Sequence, residues 1–180
     1  MLAIKQKKGK MAAAKRKKVI VGGTFDVFHE GHKAFLRKAF SLVEEDKSSS
    51  LPFAATRVGK VTIGLTSNIF AKKTKKRRVK DFRYRKKELE DFIKKEFKAK
   101  ARIVKIEDKF GPALKEDFDY IVVSPITHPT ALLINRQRRK INKNPIKIVK
   151  IKFVLDKDGE PVSATKILKG KIDREGKLVK

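Results

Sequence analysis

Two of the chain's three histidines, His29 and His32, flank Gly31 in the string GGTFDVFHEGH, Gly22 to His32. Set three apart at the start of a helix, both rings can face one spot. That spot also receives the positive end of the helix dipole. Gly22 and Gly23 remove side chains where the backbone must bend and approach a ligand. Thr24 adds a hydroxyl, the peptide N–H groups around it can point at phosphate oxygens, and Gly31 leaves room for a flat base or a phosphate. Such a set binds anions and lets imidazoles donate hydrogen bonds to a charge-rich transition state. A His-x-x-His zinc reading finds no third ligand at suitable spacing, so no protein-held metal site is expected. The string is not GxGxxG, and GxxxxGK followed by Ser or Thr occurs nowhere, which leaves P-loop chemistry without support.

These residues need a strand before them and a helix behind them. Lys18-Val19-Ile20-Val21, closed by Gly22-Gly23, reads as a buried strand entering a tight turn. Residues 33–45 place Ala34, Phe35, Ala39 and Leu42 on one face of an amphipathic helix. Further along, strands are expected at 61–65, 102–106, 120–123 and 146–155. Helices are expected at 82–97, with Asp81 as cap and Leu89, Phe92, Ile93 and Phe97 facing inward, and at 130–140. Ser163 can cap a short last helix, and residues 46–55 read as a surface loop. Strands alternating with helices of this length imply a doubly wound α/β fold with a parallel sheet. Ligands then bind beyond the carboxyl ends of the strands, where the histidine string lies.

Composition narrows the classes. The 180 residues carry 48 Lys+Arg against 20 Asp+Glu, a formal charge of +28, and no cysteine. Disulfides, Cys-ligated metals and thiol catalysis are therefore out. The longest charge-free run, Tyr120 to Asn135, is shorter than the ~20 residues a membrane span needs. No apolar stretch follows the basic start, so a cytoplasmic protein without membrane contact is expected. Residues 1–18 hold eight cations and no acid and read as a disordered arm, with one domain over 19–180. A second run, Lys72 to Lys87, has eleven cations and one acid. Both runs suit solubility or heat adaptation, and the arm also offers nonspecific contact with nucleic acid. Nothing in the sequence fixes an oligomeric state.

GTFDVFHEGH resembles the HxGH signature of the nucleotidyltransferase superfamily. IGLTSNIFAKKTKK (63–76) with the later Arg85, YIVVSPITHPTALLINRQRRK (120–140) and DGEPVSATKI (158–167) are similar to archaeal-type phosphopantetheine adenylyltransferases, from about Lys18 to Asp173. The resemblance implies a Rossmann-like fold in a single nucleotidyltransferase domain. It further implies transfer of the adenylyl group of ATP to 4′-phosphopantetheine, giving dephospho-CoA and pyrophosphate, with Mg²⁺ carried by ATP. By residue, it implies His32, His29 and Lys72 (or Lys73) as catalytic. Gly23, Thr24, Phe25, Gly31, Arg85, Ser163, Thr165 and Lys166 would bind nucleotide, and Ser124, Asn135 and Arg139 would lie on the acceptor side. Three positions depart from the family. Ala164 and Lys166 stand where relatives read Ser and Arg, and Ile126 stands where they often carry Glu.

Two other functions compete. The same site could serve another phosphorylated acceptor, such as glycerol phosphate or riboflavin phosphate. Alternatively the chain could be a basic nucleic-acid-binding protein that retains the fold. The latter lacks interleaved aromatics, since Phe82 and Tyr84 are the only ones in the 72–87 run. Thr24-Phe25-Asp26 argues against the nicotinamide-mononucleotide branch, which opens with a GRFQPFHxGH-like string.

Overall fold

The computed structural model describes residues 17–44, 61–75 and 77–179. Residues 1–16 of the arm and the expected loop at 46–55 lie outside the described residues; Lys17 and Lys18 are exposed. The chain runs β1 (Val19–Gly23), α1 (Glu30–Glu44), β2 (Val61–Thr66), α2 (Asn68–Thr74), α3 (Phe82–Phe97) and β3 (Arg102–Ile106). A 3₁₀ turn (Gly111–Ala113), β4 (Tyr120–Val123), α4 (His128–Lys140), β5 (Lys147–Lys150) and α5 (Ala164–Leu168) follow.

The five strands are all parallel in the order β3-β2-β1-β4-β5. Chain order reverses between β1 and β4, so a crevice opens beyond their carboxyl ends. Helices cover both faces, which is why Val19–Val21 and Ile121–Val123 are continuous apolar runs and β2 is buried along its whole length, Thr62 and Thr66 included. Val19 and Val21 pack with α1 and α3 through Phe35, Leu36, Phe40 and Leu89. Ile20 packs on the other face with Ile121, Ala131, Ile134 and Ile146. The expected doubly wound α/β fold is what the chain adopts.

Several boundaries move for physical reasons. Helix α1 starts at Glu30 rather than Lys33, and its buried face is wider than expected, adding Leu36 and Phe40 at 0% exposure. Helix α4 starts at His128, because Pro129 sits in its first turn, where a missing N–H costs nothing. The long strand expected at 146–155 is only four residues. The Ile151 N–H still reaches the Val123 carbonyl (2.9 Å), but β4 ends there and nothing remains to pair with. Helix α2 was not anticipated; Ser67 caps it, its Oγ accepting from the Phe70 N–H at 3.1 Å. Among the described residues no helix is long and apolar enough to cross a membrane.

Candidate active site

A cavity of about 390 Å³ sits over the carboxyl ends of β1, β4 and β5. The turn after β1 forms its floor, and that turn is strained. Phe25 and Val27 have φ of 49° and 50°, and both are buried. A β-branched residue in that region is a real outlier, costing on the order of 1–3 kcal/mol unless its surroundings fix it. Three contacts fix it here. The Phe25 ring folds back over Gly23, where a Cβ would stand 2.9 Å from the ring. The Asp26 carboxylate accepts from Arg77 and from the Lys80 N–H at 3.1 Å. The Arg85 guanidinium holds the Thr24 carbonyl at 2.9 Å.

His29 and His32 stack with ring centroids 3.9 Å apart, and His32 also stacks on Phe28 at 5.7 Å. Both line the cavity. Burial pushes His29 down to about 4, helped by the Arg174 charge. Burial likewise holds His32 well below the ordinary histidine value, with His29 and Lys75 adding to it. Both rings are therefore neutral at pH 7. Their Nδ1 atoms are buried and have no hydrogen-bond partner among the described residues. Such atoms are costly unless something supplies the missing bond, and an oxygen-rich ligand in the cavity can. Gly31 serves the pair directly, because a Cβ there would stand 2.9 Å from His29 Cε1. The room that the sequence suggested for a ligand is filled by this ring.

The depressed His29 value carries a pH prediction. In the unfolded chain histidine titrates near 6.5, whereas folded His29 titrates near 4. Between these values the unfolded state binds the extra proton, so stability falls as pH falls from 6.5 towards 4 and is fully present above 6.5. At about 1.4 kcal/mol per unit the loss from this residue is on the order of 3 kcal/mol. Urea unfolding at a series of pH values should show it, and His29→Gln should flatten the curve in that window.

Hydroxyls and cations complete the walls. Thr24, Ser124, Thr127, Ser163 and Thr165 line the cavity, as do Lys75, Arg77 and Lys152. Ser163 caps α5, its Oγ accepting from the Lys166 N–H at 3.4 Å. Ser124 and Thr127 hold each other, with hydroxyl oxygens 3.2 Å apart. The far end is apolar, with Ile126, Ile151, Phe153 and Val154. A smaller cavity of about 230 Å³ lies beside β1 on the α4 side, lined by Phe70, Ile106, Phe110 and Ile134. Gly22, Gly23, Thr24, Lys75 and Thr127 border both cavities, so the two meet at Thr24 and Lys75.

Five expected site residues point elsewhere. Lys72 is exposed on α2 and lines neither cavity; the first residue past that helix, Lys75, lines both. Arg85 is fully buried, with all five donors engaged. Its Nε reaches the Lys80 carbonyl, Nη1 the Thr24 carbonyl and Thr66 Oγ1, and Nη2 the Thr66 carbonyl and Asn68 Oδ1. Nothing is left for a phosphate, and burial lowers its pKa from the usual guanidinium value. Lys166 is drawn away by the buried Asp156 at 2.7 Å, and this bond holds the Asp156 carboxyl below the ordinary carboxylate range. Asn135 trades two 2.8 Å bonds with the Ile146 backbone, joining α4 to the start of β5. Arg139 is exposed on α4. The third histidine, His128, opens α4 and lines neither cavity.

Sequence reasoning missed Lys75, Arg77, Thr127 and Lys152. The two basic residues of the 72–87 run were visible only as members of it. Thr127 stands inside the 120–140 segment that carries the resemblance, but no cap pattern singles it out.

Comparison with known proteins identifies the family. Residues 20–170 match the cytidylyltransferase-like family. A phosphopantetheine adenylyltransferase of Methanosarcina acetivorans is 42% identical over 163 residues, covering 89% of this chain and 95% of the relative. One from Methanosarcina barkeri is 43% identical, covering 91% and 93%. A crystal structure of a protein of unknown function from Archaeoglobus fulgidus superposes with a TM-score of 0.63 at 36% identity, covering 74% of this chain and 88% of that one. The chain belongs to the cytidylyltransferase-like family and, within it, to the archaeal phosphopantetheine adenylyltransferases.

Proposed function

We propose that this chain transfers the adenylyl group of ATP to the phosphate of 4′-phosphopantetheine, forming dephospho-CoA and releasing pyrophosphate. Beside the relatives' names, the observation that carries the reading is the meeting of two unlike cavities at one phosphate-binding seam. The larger has cations and hydroxyls at one end and apolar walls at the other, which suits a triphosphate and a base. The smaller is mostly apolar and ends at Thr24 and Lys75, which suits the pantetheine arm with its phosphate at that end.

An acceptor phosphate oxygen there attacks the α-phosphorus of ATP, and the bond to the pyrophosphate oxygen breaks. The chain has no cysteine, and among the described residues no serine is hydrogen-bonded to a histidine to form a covalent intermediate, so positioning and charge stabilisation do the catalysis. Thr24 and Lys75 orient the two reacting phosphates. His29 and His32, neutral and short of partners, donate to the charge that builds on the transferring group. Arg77 and the Ser163–Thr165 turn hold the remaining phosphate oxygens.

Mg²⁺ supplies neutralisation of the phosphates when bound. Among the described residues no group of three acidic or histidine ligands forms a metal site, and Asp26 is already engaged by Arg77 and Lys80. The metal would therefore ride on ATP oxygens, as magnesium commonly does. A pyrophosphate-release panel tests the whole reading. ATP with 4′-phosphopantetheine should be the productive pair. Faster release with CTP, glycerol phosphate or riboflavin phosphate would move the chain to another acceptor.

A further inference from the structure

Carboxylates accompany the cations over much of this surface. On α1 and α3, Arg37 pairs with Glu30 and Glu96, Lys86 with Glu90, and Lys87 with Asp91. Mixed-sign networks of that kind are what solubility or heat adaptation produces. Two acid-free stretches depart from it: residues 47–80, with ten Lys or Arg, and a second that builds one face of the fold. From Tyr120 to Leu155 the chain has eight Lys or Arg and no Asp or Glu. Only Arg138 and Lys143 of these find a carboxylate, both on Asp117. Arg136, Arg139, Lys140, Lys147, Lys150 and Lys152 are exposed and form no ion pair among the described residues.

The fold gathers these charges. The Asn135–Ile146 bonds lock α4 beside β5, the edge strand of the sheet. Arg136 and Lys140 are one helical turn apart on the exposed side of α4. On β5, Ile148 packs into the core beneath α4, so Lys150, two residues on, leans to the same side. Lys147 lies on the opposite side, over the Tyr120 ring at 5.6 Å. Lysines on an edge strand also deter edge-to-edge pairing, but that reason does not extend to α4.

We propose that the α4–β5 face is a second binding surface, for the phosphate backbone of nucleic acid. Uncompensated Lys and Arg heads on two adjacent elements bind phosphates by counterion release, without reading sequence. Leu132 and Ile141 are the only large apolar side chains exposed on α4 and its C-terminal cap, too few to seat a membrane or an apolar partner. This surface is independent of the adenylyl-transfer site.

The test uses the full chain, a labelled 30-nucleotide single-stranded RNA, and the same sequence as duplex DNA. Anisotropy titrations across salt give log K against log salt. The variant Arg136→Gln/Lys140→Gln/Lys150→Gln removes three charges of this face, none lining either cavity. Its slope should be shallower than wild type by about 2 on the single strand and about 3 on the duplex, and its affinity near 0.1 M salt lower by about tenfold. Pyrophosphate release should be unchanged. The control Lys94→Gln/Lys95→Gln/Lys98→Gln removes the same charge from the last turn and cap of α3 and should keep the wild-type slope. Equal losses in both variants would mean bulk charge rather than a surface and would overturn the proposal. So would salt-insensitive or absent binding, or equal competition by polyglutamate, which would point to an acidic protein partner.

Discussion

His32→Ala should lower turnover by about 10²–10³, the usual effect of losing one donor to transition-state charge, while changing ATP affinity only a few-fold. The reasoning starts from the ring's surroundings. His32 is wedged between Phe28 and His29, lines the cavity, and is kept neutral chiefly by burial. A neutral ring contributes little Coulombic attraction to ground-state ATP. Its N–H matters most when charge grows on the transferring phosphoryl group in a site with little water. The kcat and the ATP dissociation constant, measured separately, check this. A large loss of affinity with unchanged kcat would instead make His32 a ground-state anchor. His32 also packs against rings, so thermal melts must accompany the kinetics. His32→Asn, which keeps a donor, should recover part of the loss.

The fold was legible because its signals are local and periodic. Val19 to Val21 can only be a buried strand, and the spacing of Leu89, Ile93 and Phe97 marks a helix whichever partner covers it. The histidine string was legible for the same reason, since its residues act within one turn. Long-range pairing was not. Arg85 and Asn135 sit where acceptors from distant parts of the chain converge, and a sequence shows a guanidinium or an amide without its partners. Lys166 looked free because Asp156, ten residues earlier, became its partner only once the 154–162 turn folded back. In the 72–87 run the lysines are chemically identical. The choice of Lys75 over Lys72 depends on where α2 ends, and its Ser67 cap went unread. The strain at Phe25 and Val27 had no sequence signal at all, as neither is a residue that favours positive φ.

Arg85→Lys should destabilise the protein by about 3–5 kcal/mol, the range for breaking a buried charged network, and should disturb the site from behind. Lysine keeps the charge but offers three donors from one atom, where the guanidinium spreads five over a rigid fork. The acceptors are the carbonyls of Thr24, Thr66 and Lys80, with Thr66 Oγ1 and Asn68 Oδ1. At least two lose their partner, and each buried orphan costs about 1–3 kcal/mol. The lost bonds also untie the strained turn at Thr24 from the segment between α2 and α3 that carries Lys75 and Arg77. The two sides of the phosphate seam then lose their common anchor. Denaturant unfolding should show the stability loss. Kinetics at a temperature where the variant remains folded should show a fall in kcat larger than any rise in KM for ATP. A direct phosphate contact would give the reverse, near-normal stability with a large rise in KM. That outcome would return Arg85 to the nucleotide. Millimolar guanidinium added to Arg85→Ala offers an independent check, because a cation that refills the vacated fork should restore turnover together with thermal stability.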